Sequence, residues 1–301
     1  MNKINSPYIV DIKRNSLDDG PGIRTVLFFK GCPLSCVWCQ NPETKSPKQE
    51  IMFEGEKCTD CQECASSCYY NALNLKNEYP IDQEKCNLCG RCIEECKIGT
   101  LRFAGRKYTI SELIDIILKD KVFFQNSGGG ITFSGGEPTM HMEYLHQLLK
   151  QLNDHDIHVC LETCGYYNLK QFNTHIFPHL DLIYFDLKLY NNDKHNRYCK
   201  TSNIRIKKNF ESLINETQME VLPRIPLIPN ITATKENLQK WATYLKDLQI
   251  RKVGLLPYNP LWISKAQILG KVVEYSHSEW LTNKKKESIK DIFQGFEYRD
   301  F

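Results

Sequence analysis

Three thiols within eight residues carry the most pointed chemistry in this chain. Cys32, Cys36 and Cys39 stand in the run Gly31-Cys32-Pro33-Leu34-Ser35-Cys36-Val37-Trp38-Cys39, spaced C-x3-C-x2-C, with no further cysteine until Cys58. A closed structural site for zinc or an iron–sulfur cluster takes four protein ligands, whereas a reactive centre leaves one position open. Three thiolates on a [4Fe–4S] cube leave one iron free for a substrate. Taken alone, the loop also reads as a zinc knuckle completed by a distant histidine.

Two further groups follow, Cys58-x2-Cys61-x2-Cys64-x3-Cys68 and Cys86-x2-Cys89-x2-Cys92-x3-Cys96. This is the bacterial ferredoxin run, in which the fourth cysteine ligates the other cluster. One [4Fe–4S] cluster is therefore expected on Cys58, Cys61, Cys64 and Cys96, and a second on Cys86, Cys89, Cys92 and Cys68. The proline that follows the fourth cysteine of that run is replaced by Tyr69 and Lys97. A zinc ribbon, the other reading, separates two C-x2-C pairs and fits the spacing poorly. These groups account for eleven of the fourteen cysteines, and Cys160, Cys164 and Cys199 are left scattered, without ligand spacing. Each of the three reads as a buried structural residue. Tight thiol groups of this kind suit a reducing compartment, where they hold metal.

Bulk composition narrows the partners. The chain has 301 residues, 41% hydrophobic and 25% charged, with a formal net charge of +3. Those values suit a globular protein and are too mild for a nucleic-acid binder. The N-terminal residues lack a signal-peptide core, and no apolar run reaches membrane-spanning length, so a cytoplasmic protein without a membrane partner is expected.

Three stretches must position these thiols. Residues 1–52 carry two expected strands, Tyr8–Lys13 and Thr25–Lys30, and then the first cysteine loop. Residues 53–105 form a cysteine-rich insert too poor in apolar pattern to fold without metal. Residues 106–301 alternate strands and helices. Strands are expected at Ile131–Phe133, His158–Glu162, Leu182–Lys188, Val221–Ile225 and Lys252–Leu256. Helices are expected at Ser111–Leu118, Glu143–Asn153, Ile204–Ile214, Lys235–Leu248 and Lys285–Phe293. Ser111 with Glu112 and Asp115 marks a helix start, and Leu145, Leu148, Leu149 and Leu152 share one apolar face. Such alternation predicts an α/β fold around a parallel sheet, open or barrel-shaped.

The loop and its flanks, Asp19-Gly20-Pro21-Gly22-Ile23-Arg24-Thr25, Gly31-Cys32, Cys36 and Trp38-Cys39-Gln40-Asn41-Pro42-Glu43, resemble the activating enzymes of glycyl radical enzymes, within the radical S-adenosylmethionine superfamily. The resemblance continues through Gly128–Pro138, Glu162–Gly165, Asp186–Lys188 and Leu255–Tyr258 and so covers nearly the whole chain. It implies a partial parallel (β/α)6 barrel carrying an inserted ferredoxin-like domain with two [4Fe–4S] clusters. It also implies an oxidoreductase that, under anaerobic conditions, reductively cleaves S-adenosylmethionine to methionine and a 5′-deoxyadenosyl radical. That radical takes hydrogen from a glycine of a partner glycyl radical enzyme. Flavodoxin or ferredoxin is the implied electron donor, and a monomer the implied state.

On the same resemblance, Cys32, Cys36 and Cys39 hold the catalytic cluster, and Trp38, Cys39 and Gln40 lie against the cofactor. Gly135, Gly136 and Glu137 meet the methionine amino group, while Asp186, Leu187 and Lys188 line the site, with Asp186 and Glu162 near a monovalent cation. Arg224 is expected to pair with the cofactor carboxylate, as guanidinium suits carboxylate. Relatives read Leu-Pro-Tyr-His where this chain reads Leu256-Pro257-Tyr258-Asn259, so Asn259 is expected in the place of the histidine. A radical enzyme acting on a small molecule or another macromolecule is the alternative function. A plain electron carrier would have no use for the open three-cysteine loop.

Overall fold

A computed structural model describes residues 5–216 and 219–299. Its frame is a nine-stranded sheet ordered β11-β10-β9-β8-β7-β6-β2-β1-β5. The strands are β1 (Tyr8–Ser16), β2 (Arg24–Phe29), β5 (Arg106–Lys107), β6 (Gly130–Gly135), β7 (His158–Thr163), β8 (Leu182–Asp186), β9 (Glu220–Leu227), β10 (Lys252–Pro257) and β11 (Glu297–Arg299). From β2 through β6 to β11 every pairing is parallel, and β1 and β5 add an antiparallel edge. The six expected parallel strands are joined by a seventh, β11. It is three residues long, too short to announce itself by pattern. β5 and β11 do not pair with each other, so the sheet stays open.

Helices cover the outer face. Helix Met142–Asn153 buries Leu145, Leu148, Leu149 and Leu152 against the sheet, the face read from the sequence. Helix Ile110–Leu118 begins one residue before the expected Ser111. Thr109 is its cap, and Glu112 returns a bond to the Thr109 amide, a capping box that satisfies two otherwise orphaned N–H groups. Helices Lys121–Ser127, Leu169–His175, Asn192–Cys199 and Trp262–Ile268 were not expected. The third is so polar that only its tertiary contacts explain it.

The inner face is layered by strand alternation. Cys160, Leu182, Tyr184 and Leu222 form an apolar plug within it. One step further along the same strands, the same face presents Glu162, Asp186 and Arg224, with Asp186 paired in register to Arg224. The polar layer therefore sits at the C-terminal ends of the strands, where sites of α/β sheets lie.

The cysteine-rich stretch hangs from a two-stranded stem, β3 (Ile51–Phe53) antiparallel to β4 (Leu101–Phe103). A small core of Ile51, Phe53, Cys64, Ile81, Cys92 and Leu101 fills it. Two short helices, Glu63–Ser66 and Arg91–Glu95, pack together there. Among the described residues, no helix is long and apolar enough to cross a membrane.

Candidate functional site

The cysteine loop leaves β2 at Phe29 and is clamped against the end of β6. The Gly31 amide donates to the Thr44 carbonyl at 2.6 Å and the Cys32 amide to Lys45 at 3.1 Å, while the Glu137 amide donates to the Gly31 carbonyl at 2.7 Å. A Cβ on Gly136 would lie 2.1 Å from that same carbonyl, so only glycine lets the two turns touch. The glycine pair was expected to admit a ligand, and it first admits the cysteine loop. Arg24, wholly buried, fastens the segment before β2: it donates to Thr132 Oγ1 at 2.6 Å and to the Pro21 carbonyl at 3.1 Å.

Between loop and strand ends opens a cleft of about 740 Å³. Cys32, Cys36, Trp38, Cys39 and Gln40 line one side, and Gly135, Gly136, Glu162, Asp186, Lys188, Arg224 and Asn259 the others. Residues from six separate segments of the sequence thus meet in one cavity. Among the described residues, no three His, Cys, Asp or Glu side chains converge as a single metal ion requires. Thiolates around a four-iron cube bind different irons and stand farther apart, so three thiols facing one cavity with its fourth side open fit the cube.

Two expected cofactor residues do not face the cleft. Glu137 is fully buried, and its carboxylate accepts from the Thr163 hydroxyl at 2.9 Å, the Thr139 hydroxyl at 2.7 Å and the Cys164 amide at 2.7 Å. Those bonds tie the turn after β6 to the end of β7, and a carboxylate so occupied is a structural brace. Leu187 is likewise in the apolar core, and only its amide is engaged, donating to the Arg224 carbonyl at 2.8 Å.

Arg224 is also differently employed. Its Nη1 donates to Glu162 Oε1 at 2.5 Å, and Nε and Nη2 donate to Asp186 Oδ1 at 3.1 and 3.0 Å. Three of the five guanidinium N–H groups are thereby taken by the protein's own carboxylates. Lys188 donates to the second Asp186 oxygen at 3.2 Å from just beyond the strand, which stops at Asp186. Burial raises the Glu162 carboxyl and would raise Asp186 too. For Asp186 the cations Lys188 and Arg224 outweigh burial and hold it below the ordinary carboxylate range. Asn259 lines the cleft while its Oδ1 accepts the Leu261 amide at 2.9 Å.

Two of the three cysteines read as scattered lie beside the loop: the Cys199 carbonyl accepts the Ser35 amide at 2.9 Å, next to Cys36, and Cys164 lines the cleft with Cys32. Burial pushes Cys164 and Cys199 above the usual thiol range, and the adjoining sulfur pushes them further. The Cys199 thiol, helped by Lys188 and Lys45, lowers Cys36 despite its burial. Nothing in local spacing could have revealed either placement. Cys160 is the plain buried residue expected, in the plug of the inner face.

In the stem-borne lobe Cys68, Cys86, Cys89 and Cys92 line one cavity, and burial, with the neighbouring thiols Cys96, Cys58 and Cys61, raises the Cys64 pKa. Cys96 Sγ lies 3.1 Å from the Thr100 hydroxyl. That hydroxyl and the amides of Leu101, Thr100 and Gly99 lower its pKa against the effect of burial.

A family profile described as a 4Fe-4S single cluster domain matches residues 18–211. The chain is 36% identical over 294 residues to the trans-4-hydroxy-L-proline dehydratase activating enzyme of Clostridioides difficile, covering 96% of this chain and 97% of that one. It is 34% identical over 266 residues to the isethionate sulfite-lyase activating enzyme of Oleidesulfovibrio alaskensis, covering 86% and 85%. It is 30% identical over 298 residues to the indoleacetate decarboxylase activating enzyme of Tractidigestivibacter scatoligenes, covering 95% and 94%.

Proposed function

The chain belongs to the radical S-adenosylmethionine activating enzymes of glycyl radical enzymes, and on that premise we propose that its cleft generates the glycyl radical of a partner lyase, dehydratase or decarboxylase. The observation that carries the reading is the convergence of the three loop thiols with Gly135, Gly136, Asp186, Lys188 and Asn259 on one cavity. In this reading Cys32, Cys36 and Cys39 hold a [4Fe–4S] cluster by three of its irons. Cluster and S-adenosylmethionine together supply the electron and the 5′-deoxyadenosyl radical.

The residues around them do the positioning. Gly135 and Gly136 bring backbone to the cofactor's amino end. Trp38 and Gln40 flank the loop sulfurs, and Lys188 and Arg224 supply positive charge for the carboxylate. Arg224 keeps two N–H groups beyond those given to Glu162 and Asp186, so its share in that task is the smaller. Glu162 and Asp186, two carboxylates facing one cleft, would suit a monovalent cation. Asp18 and Asp19 stand at the rim, held through the Thr132 hydroxyl bond to the Asp19 carbonyl at 2.7 Å, where the glycine loop of the partner would enter.

The lobe on residues 53–105 is assigned two further [4Fe–4S] clusters, on Cys58, Cys61, Cys64 and Cys96 and on Cys86, Cys89, Cys92 and Cys68. The crossed grouping of those thiols supports the assignment. These clusters would pass electrons from flavodoxin or ferredoxin to the loop cluster. We place the protein in the cytoplasm, as a monomer.

The test is iron and product together. Anaerobically reconstituted protein should hold about twelve irons, four per cluster. Replacing Cys32, Cys36 and Cys39 by Ala should remove about four of them and abolish formation of 5′-deoxyadenosine under dithionite. Retained cleavage in that variant overturns the site. Absence of a glycyl radical signal on every candidate partner, despite cofactor cleavage, overturns the function.

A further inference from the structure

Helix Trp262–Ile268 gives way at Leu269, and the next residue, Gly270, turns left-handed at a φ of +63°. The Gly270 amide donates to the Gln267 carbonyl at 2.8 Å and the Lys271 amide to the Ala266 carbonyl at 2.9 Å, which closes the helix end. That conformation would admit asparagine as well as glycine. The space would not. A Cβ at position 270 would lie 2.3 Å from Cδ1 and 2.4 Å from Cγ of Tyr79, so the tyrosine ring of the lobe lies directly on the glycine.

From that seat the contacts run in a closed ring. The Tyr79 hydroxyl donates to the Ile51 carbonyl at 2.8 Å. Ile51 opens strand β3 and lines the lobe cavity with Cys68, Cys86, Cys89 and Cys92. Its chain neighbour Glu50 meets Lys271, the residue after Gly270, at 3.0 Å, which closes the ring. The second Glu50 oxygen accepts from Lys30, which directly precedes Gly31 and Cys32. Met52, Ala104 and Leu269 add a buried apolar contact between stem and helix end. Tyr79 thus grips the wall of the thiol cavity with its hydroxyl and the barrel with its ring. The carboxylate beside that wall is bonded to the start of the cysteine loop.

We propose that Tyr79 and Gly270 are positioning residues for electron delivery: seated on each other, they hold the thiol cavity of the lobe at a fixed place against the Glu50–Lys30 junction and so against the cysteine loop. The proposal rests on the electron relay assigned above. One electron leaves reduced flavodoxin or ferredoxin for the lobe, and one then leaves the lobe for the loop cluster, so each transfer oxidises one centre and reduces the next. Transfer between fixed centres falls steeply with their separation, so a lobe free to lean away delivers slowly. A tyrosine that only fills the stem would affect stability and would treat a protein donor and a small reductant alike.

The experiment compares formation of 5′-deoxyadenosine driven by reduced flavodoxin with that driven by dithionite, on holoenzymes of matched iron. Gly270→Asn keeps the left-handed turn and displaces the ring. Its flavodoxin-driven kcat should fall several-fold, while the KM for flavodoxin and the dithionite-driven rate hold. Tyr79→Phe keeps the ring and loses the Ile51 bond, so it should fall less. Tyr79→Ala should fall as far as Gly270→Asn, and combining the two should cost nothing further, since the clash is gone. Should Gly270→Asn fail to load its clusters, Tyr79→Phe, which lacks a single hydroxyl, carries the same test.

A second readout is electron paramagnetic resonance on samples frozen at intervals after mixing with reduced flavodoxin. In Gly270→Asn the lobe signals should form as in wild type, and the signal that changes with S-adenosylmethionine should lag, with midpoint potentials unchanged. Equal losses with both reductants overturn the proposal, and so does an unchanged flavodoxin-driven rate in the loaded variants. A wild-type loop signal that rises with no lobe signal before it would overturn the relay reading itself. Variants that relay at the wild-type rate overturn the seat alone, which keeps the two failures distinct.

Discussion

Lys30 Nζ and Glu50 Oε2 meet at 2.5 Å, with the lysine side chain wholly shielded from solvent and the glutamate 19% exposed. The pair joins the end of β2, where the cysteine loop starts, to the foot of the lobe stem. Lys30 also donates to the Glu43 carbonyl at 2.6 Å, and Lys271 reaches the other Glu50 oxygen at 3.0 Å. The cysteine loop and the lobe are therefore held together by buried charge as well as by chain connection.

Breaking that pair should be expensive. Removing one partner of a buried ion pair leaves the other uncompensated, at about 3–5 kcal/mol. Glu50→Gln, which strands the wholly shielded Lys30 cation, should lower the thermal midpoint of the holoenzyme clearly, and Lys30→Met, which leaves the more exposed Glu50 still paired with Lys271, by less. Midpoints are compared at matched iron content, since a protein with a tightly bound cluster need not unfold in two states. Equal, small shifts in both variants would show that the pair is not what joins lobe to sheet.

Acid should weaken the helix that supports the loop. His195 is 1% exposed, its Nδ1 hydrogen donated to the Thr201 carbonyl at 2.5 Å, and burial, with Lys188 and Lys207 nearby, lowers its pKa to about 4. The folded value lies below the unfolded one, so the unfolded chain takes up the proton first. The stabilisation is complete above about pH 6.5 and is lost as pH falls toward 4, with about 2 kcal/mol gone by pH 5. Burial lowers His141 and His158 as well, in the same sense. His195→Gln should be less stable at pH 7.5 yet lose less on going to pH 5. Parallel losses in variant and wild type would exclude His195 as a source of the acid sensitivity.

The crossed ligand sets give a sharper test of the lobe. Cys68→Ala should disturb the cluster on Cys86, Cys89 and Cys92, far from it in sequence, and leave that on Cys58, Cys61 and Cys64. Cys96→Ala should do the reverse. With flavodoxin as donor either change should slow activation, while dithionite still supports cofactor cleavage. Variants whose spectra show loss of the sequence-adjacent cluster would mean that each group of four closes on itself.

What was legible in the sequence was whatever spacing alone encodes. The thiol groups, the glycine pair after a strand and the places of Glu162, Asp186 and Arg224 on strands are all local, and the structure gathers them in one cleft. What stayed hidden depends on strand register and on contacts across the fold. Arg224 was free for a ligand on paper because its carboxylates lie 38 and 62 residues away. Glu137 looked like a ligand residue because its partners Thr163 and Cys164 follow the next strand. Cys199 carried no signal at all, since its place beside the cysteine loop requires a polar helix to end on a segment far earlier in the sequence, a placement set by backbone carbonyls.

Asn259 has two ends, and they predict different things. Its Oδ1 accepts the Leu261 amide at 2.9 Å and shapes the turn into helix Trp262–Ile268, while the side chain also borders the cleft. The Nδ2 group is then the end that can hold the cofactor. Asn259→Ala removes both ends, so S-adenosylmethionine affinity should fall about five-fold, the equivalent of one ordinary hydrogen bond. The thermal midpoint should also drop, since the Leu261 amide loses its acceptor. Asn259→Asp keeps the acceptor and loses the donor, so it should hold the midpoint while binding the cofactor at least as poorly as Ala. Asn259→His should recover affinity, because relatives carry imidazole there, at some cost to the turn. Affinity is measured on reconstituted protein with equal cluster content. If Ala binds the cofactor as wild type does and only its midpoint falls, Asn259 serves the turn alone.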